Sequence, residues 1–167
     1  EQRKYIDKLL DENKVVKILH SVEQPVLAGF LYRKVNEIMA AGINIEFNLS
    51  VPDAELAIEV LDCIEIVGIF LDNAVEACND IPNSFIEVSV IRKNNSNLTL
   101  ISIINTCNNA PSFDDNGFPA SSKKDKQKHG LGLKSVNRIA NKYNGSIKMY
   151  YENQSKTFHT IILLNNA

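Results

Sequence analysis

The sequence is short of the residues that build metal and disulfide sites. It has three cysteines and three histidines in 167 residues. Cys63, Cys78 and Cys107 form no C-x-x-C pair, and their neighbours are mostly apolar. That excludes a disulfide framework and argues for buried thiols in a reducing compartment. The scattered histidines argue against a metal centre built on them. No apolar run approaches the ~20 residues that span a bilayer, and there is no signal-peptide pattern. A net charge of -2 gives no pull toward nucleic acid. Internal repeats are absent too. The chain begins at Glu1 rather than Met, so a fragment of something longer is expected, with room for a membrane segment upstream but no membrane contact by these residues.

What is present fits one domain plus a short extra element. Apolar residues make up 44% of the chain, enough for a real core. Residues 1 to about 22 carry Ile6, Leu9, Leu10, Val16 and Leu19 at helical spacing. A second helix is expected from Pro25 to Ala41, with proline in its first turn and Gly42 as its stop. Ile43 to Leu49 alternates with period two, as a half-buried strand does. A long helix is expected from Pro52 and Asp53, with Asp53 as N-cap, to about Asn79. Phe85–Ile91 and Leu98–Ile104 read as strands joined by a polar turn. Periodicity is lost over residues 108–129, and a loop of that length is often a lid or binding loop. A helix over Gly130–Tyr143 ends at Asn144-Gly145, and Ile147–Tyr151 with Phe158–Leu164 closes the domain as a hairpin. This order predicts an α+β, two-layer sandwich: a mixed, mostly antiparallel sheet with helices on one face.

Two constellations could carry chemistry. In Leu71-Asp72-Asn73-Ala74-Val75-Glu76-Ala77, the residues Asn73, Glu76 and Ala77 share one helix face. An amide beside a carboxylate suits Mg²⁺ held through oxygen and water, with phosphates as further ligands. The plainer alternative is the solvated edge of an amphipathic helix. In Lys128-His129-Gly130-Leu131-Gly132-Leu133, a Gly-x-Gly follows a lysine-bearing loop and opens a helix. Free N–H groups of a first helical turn can cradle phosphate there. The plainer alternative is an ordinary helix start, and Lys123, Lys124 and Lys126 are equally well read as a solvated run.

Taken together, these motifs resemble GHKL (Bergerat-fold) ATP-binding domains of sensor histidine kinases. Leu71-Asp72-Asn73-Ala74-x-Glu76-Ala77 looks like their N box, and Gly130-Leu131-Gly132-Leu133 like their second glycine box. Within that class the chain is most similar to Agr-type quorum-sensing receptor kinases. The resemblance implies ATP and Mg²⁺ as cofactors, with Asn73 as the metal ligand. It implies Asn73 and Lys128 as catalytic residues, and Asn73, Glu76, Ala77, Asn105, His129, Gly130, Leu131, Gly132 and Leu133 as the nucleotide site. Residues 1–22 would be the end of a dimerisation helix or stalk, and residues 23–167 the catalytic domain. The implied partners are the chain's own dimerisation and phosphoacceptor domain, a homodimer in the full-length protein, and a response regulator. The implied setting is the cytoplasmic portion of a membrane-bound sensor.

The chain departs from the family pattern in two places. The first glycine box, normally Asp-x-Gly-x-Gly, reads Asn105-Thr106-Cys107-Asn108-Asn109 here. Asn105 takes the place of the adenine-reading Asp, and both glycines are missing. GHKL enzymes that hydrolyse ATP resemble one another in carrying a Glu one turn before the Asn. That position is Ile69 here, and Glu65 lies a further turn back. This favours phosphoryl transfer to a protein over hydrolysis. His20-Ser21-Val22-Glu23-Gln24-Pro25 looks like an acceptor box but lies too close to Asn73 to leave room for a second dimerisation helix. The acceptor histidine is therefore expected upstream of Glu1. The alternatives are a degenerate GHKL module acting through protein contacts and an anti-sigma-type serine kinase.

Overall fold

A computed structural model describes residues 24–50, 58–92, 96–119 and 126–165, with the backbone alone for Ser50 and residues 126–131. The helix expected over residues 1–22, His20, Asp53, Lys123 and Lys124 lie outside the described residues.

Helix α1 is Pro25–Ala40, with Leu27, Leu31, Val35 and Ile38 on its buried stripe. It closes as a Schellman turn at Gly42 (φ 77°), where Gly42 N–H reaches Met39 O and Ile43 N–H reaches Ile38 O. Strand β1 (Asn44–Ser50) follows, then α2 (Val60–Cys78). Helix α2 starts at Val60, after an extended Glu59 (φ -61°, ψ 137°), and the start expected at Pro52 and Asp53 lies outside the described residues. Its end is satisfied at long range: Glu59 N–H donates to the Tyr143 hydroxyl at 3.0 Å. No local cap residue was needed, so no local signal marked the start.

Strands β2 (Phe85–Arg92) and β3 (Leu98–Thr106) form the expected hairpin. Helix α3 (Lys126–Lys142), β4 (Ser146–Glu152) and β5 (Thr157–Asn165) complete the chain order. The sheet runs β1-β2-β3-β5-β4. Only β1 and β2 pair in parallel, with α2 as their crossover, and the other neighbours are antiparallel. Strand β3 alternates strictly: Thr99, Ile101, Ile103 and Asn105 are buried under the helices, and their neighbours are half-buried on the open face. Ile86, Val88, Val90, Ile162 and Leu164 continue that covered face, and Ile66, Val67, Leu71, Val136 and Ile139 meet it from the helices. The architecture is thus an α+β sandwich, a mixed and mostly antiparallel sheet with helices on one face, as the element order predicts. Among the described residues no helix is long and apolar enough to cross a membrane.

Two expectations change in the long loop. Residues 113–119 fold into a small closed turn, with Phe113 bridging Pro119 and Gly117 at φ 76°. Asp114 Oδ1 accepts from Asn116 N–H and Phe118 N–H, both at 2.9 Å. This is the side-chain-to-backbone bonding that lets Asp organise a turn. Helix α3, for its part, begins at Lys126 rather than Gly130. Lys126, Gln127 and Lys128 lose little rotamer freedom in a helix, so the helix extends back through them.

Candidate nucleotide site

Helices α2 and α3 lie antiparallel, joined by three rungs. At the first, Asp62 Oδ2 accepts from Lys142 Nζ and from the Tyr143 hydroxyl, both at 2.7 Å, and Lys142 also reaches Glu59 at 2.9 Å. Burial pushes the Asp62 carboxyl up, but the bonds from Lys142 and Tyr143 and the charges of Lys142 and Arg138 outweigh it and hold the group low. The Tyr143 hydroxyl is raised by burial and by the bond to Asp62. Lys142 is raised by its bonds to Asp62 and Glu59. At the second rung Arg138 meets Glu65 at 3.3 Å. The third is apolar: a Cβ on Gly132 would lie 3.0 Å from Ile69 Cγ2.

Continued by one turn, this register sets Asn73 level with the α3 backbone around Lys128. Asn73 and Glu76 are exposed on α2, and Ala77 is half-buried. Gly132, which faces Ile69 of α2, and Leu133 are half-buried. Lys128, His129, Gly130 and Leu131 lie in the first turns of α3, where the backbone alone is described. The two glycines therefore sit inside the helix, not before it, and the helix's free N–H groups belong to the turn that starts at Lys126.

Helix α2 is also fixed from its other side. Lys34 Nζ on α1 meets Asp72 Oδ1 at 2.6 Å, which ties the residue beside Asn73 to α1. One turn earlier, the Phe30 ring packs over Gly68, 3.4 Å from where a Cβ would stand, an ordinary contact distance.

Asn105 lies on the covered face at the end of β3 and is 3% exposed. Its Nδ2 donates to Thr106 O at 2.9 Å. Its neighbour across the ladder is Phe158 on β5, and the Phe158 ring stacks on Phe113 at 6.2 Å. Tyr151 is the next partner out, across from Phe158. The strand end is tied down by Cys107 N–H bonding to Lys156 O at 2.8 Å. Lys156 (φ 55°) turns the β4–β5 hairpin within the Ser155-Lys156-Thr157-Phe158 stretch.

Sequence reasoning found Asn73, Asn105 and the Gly-x-Gly as separate motifs. It missed the Asp62–Lys142–Tyr143 lock, whose members lie about eighty positions apart with no spacing signal between them. The Phe113–Phe158 pair beside Asn105 was missed for the same reason. Glu65 is engaged by Arg138, and Ile69 is packed on Gly132. Neither presents a carboxylate one turn from Asn73.

An α+β sandwich whose Asn-bearing helix is docked on a Gly-x-Gly helix is the architecture of GHKL domains, and the chain belongs to that family: residues 58–164 match the GHKL domain. Its fold is that of histidine kinase catalytic domains. The catalytic domain of histidine kinase ThkA is similar at TM-score 0.64 and 15% identity, over 86% of this chain and 92% of that one. The mycobacterial sensor histidine kinase MprB is similar at TM-score 0.56 and 18% identity, over 83% and 92%. Full-length ShkA, solved in complex with AMPPNP, is similar at TM-score 0.59 and 17% identity, over 81% of this chain and 29% of that one. No curated protein matches the chain.

Proposed function

We propose that this chain is the ATP-binding catalytic domain of a sensor histidine kinase, which binds Mg-ATP and transfers its γ-phosphate to a histidine on a dimerisation helix outside the domain. The observation that carries the reading is the α2–α3 register. It aligns Asn73 with the start of the Gly-x-Gly helix, while Asn105 waits buried at the adjoining strand end.

In this reading the Asn73 amide oxygen would hold Mg²⁺, which when bound would supply positive charge to offset that of the transferring phosphoryl group. Glu76 and Ala77 line the same helix face. Lys128 would contact the phosphates, and His129 to Leu133 would line their cradle. The Asn105 side-chain carbonyl accepts from the adenine amino group, with Nδ2 already engaged by Thr106. Phe158 and Phe113 supply apolar area for the base. With Ile69 where a water-activating Glu would be needed, a protein acceptor is favoured over water.

The finer reading is an Agr-type receptor kinase. It works as a homodimer through its dimerisation helices, passes phosphate to a response regulator, and sits on the cytoplasmic side of the membrane. The altered box after Asn105 favours one other reading, a GHKL module that holds nucleotide weakly and acts through protein contacts.

A longer chain that includes the upstream helices, incubated with γ-labelled ATP, tests the proposal. Acid-labile, base-stable label that disappears with Asn73→Ala is expected. Label that persists in that variant, or ATP hydrolysis with no protein label, would contradict it.

A further inference from the structure

The fold sorts the three cysteines into one and two. Cys63 is fully buried in α2, and burial pushes its thiol up to about 12, which leaves it inert. Cys78 and Cys107 stand at the same end of the sheet, one at the end of α2 and the other just past β3. Cys78 is the last residue of α2, and its Sγ lies 3.5 Å from Thr106 O and 3.6 Å from Phe85 O. Thr106 O belongs to the peptide that leads into Cys107. Side chains alternate along an extended chain, and Asn105 points to the covered face, so Cys107 returns to the side where Cys78 lies. Burial raises the Cys78 thiol, against the bonds from Ser84 and Thr106 that lower it, and the neighbouring Cys107 adds to the rise.

Access also differs between the two. Cys107 is half-buried, and its Sγ rests 3.2 Å from Asn109 O. Cys78 helps to line an open cleft of about 370 Å³ with Gly42, Asn79, Asp80 and Ser84. A small oxidant therefore reaches Cys107 from solvent and the neighbourhood of Cys78 through the cleft.

We propose that Cys78 and Cys107 are a peroxide-sensitive dithiol, a modification site that closes into a disulfide joining the end of the Asn73 helix to the end of the Asn105 strand. The Cys107 thiolate attacks one oxygen of hydrogen peroxide. The O–O bond breaks, hydroxide leaves and takes up a proton, and Cys107 becomes a sulfenic acid. The Cys78 thiolate then attacks that sulfur, the S–O bond breaks, the S–S bond forms, and a second hydroxide is protonated to water. Two thiols lose two electrons and two protons, and one peroxide becomes two waters. A transient disulfide of this kind is compatible with a reducing compartment, where thiol reductants reopen it.

The bridge ties together two points that lie five residues beyond Asn73 and two beyond Asn105. Its effect on nucleotide binding rests on the function proposed above: a strand end and a helix end fixed covalently resist the adjustment that seats adenine. Oxidation then weakens ATP binding at least about fivefold, and dithiothreitol restores it.

The test treats the reduced chain with hydrogen peroxide, alkylates the remaining thiols and maps the digest by mass spectrometry without reductant. The expected result is an intramolecular Cys78–Cys107 peptide, retained in Cys63→Ala and lost in Cys107→Ser. Over-oxidation of Cys107 to sulfinic acid with Cys78 still alkylated would overturn the proposal, as would a bridge to Cys63 or between two chains. Mg-ATP titration before and after oxidation separates this from the wider reading. A chain that forms the bridge but binds no ATP in either state upholds the thiol site and contradicts the kinase.

Discussion

Gly132 and Ile69 are fitted to each other so closely that a Cβ on Gly132 would lie 3.0 Å from Ile69 Cγ2. This contact is the apolar rung between the helix of Asn73 and the helix of the Gly-x-Gly. A glycine inside a helix costs about 1 kcal/mol relative to alanine, so its place here reflects the approach of Ile69 as well as any role toward phosphate. Gly132→Val should overpack the interface and destabilise the fold by about 1–3 kcal/mol. Ile69→Ala should relieve most of that loss. Urea denaturation of the two single variants and the double checks this: strongly non-additive effects are expected, and simple addition would show that the two residues do not share the space.

The Tyr143 hydroxyl joins two helices by donating to Asp62 and accepting from Glu59 N–H. Tyr143→Phe leaves the ring in place and removes both bonds. The expected loss is about 1–3 kcal/mol, since Asp62 keeps its charge in a buried site with one donor fewer. Chemical denaturation measures it, and an unchanged midpoint would mean that water replaces the hydroxyl at no cost.

The same cluster makes stability depend on acid. Asp62 is held below its ordinary value of 3.8, so the folded state prefers the charged carboxylate. Its contribution is complete above that value and is lost as pH falls through the lower, folded one. Lys142 is raised above 10.5, so its part is present at neutral pH and is lost only in strong base. Melting temperatures of wild type and Asp62→Asn should therefore converge as pH drops below about 4. Parallel acid limbs would show that Asp62 is not the group responsible.

Thr99 is fully buried on the covered face of β3, and its hydroxyl has no hydrogen-bond partner. Removing an unsatisfied buried hydroxyl recovers its desolvation cost. Thr99→Val should raise stability by about 1 kcal/mol, read from the same denaturation curves. A loss of similar size would point to a bound water that the hydroxyl holds.

Much of this molecule was legible where the signal is local. Leu27, Leu31, Val35 and Ile38 mark α1 by spacing, and the apolar run Leu98–Ile104 after a polar turn marks β3. The end of α3 was legible in place but not in cause. Asn144 takes the left-handed turn at φ 46°. Gly145 is there because a Cβ would meet Leu163 O at 2.5 Å. The start of α2 was not legible, since its first N–H is answered by Tyr143 from the far end of the domain. The start of α3 was misplaced because Gly130 reads as a boundary, while the residues before it are good helix formers. Asn105 was found through its position at a strand end, but its aromatic neighbours Phe113 and Phe158 meet only after the chain has folded.

The central claim is a nucleotide site organised by Asn73, and calorimetric titration of Mg-ATP into the wild-type chain and into Asn73→Ala tests it most directly. Saturable binding to the wild type that disappears in the variant is the predicted result. No heat of binding at millimolar ATP, or equal binding by both chains, would contradict it.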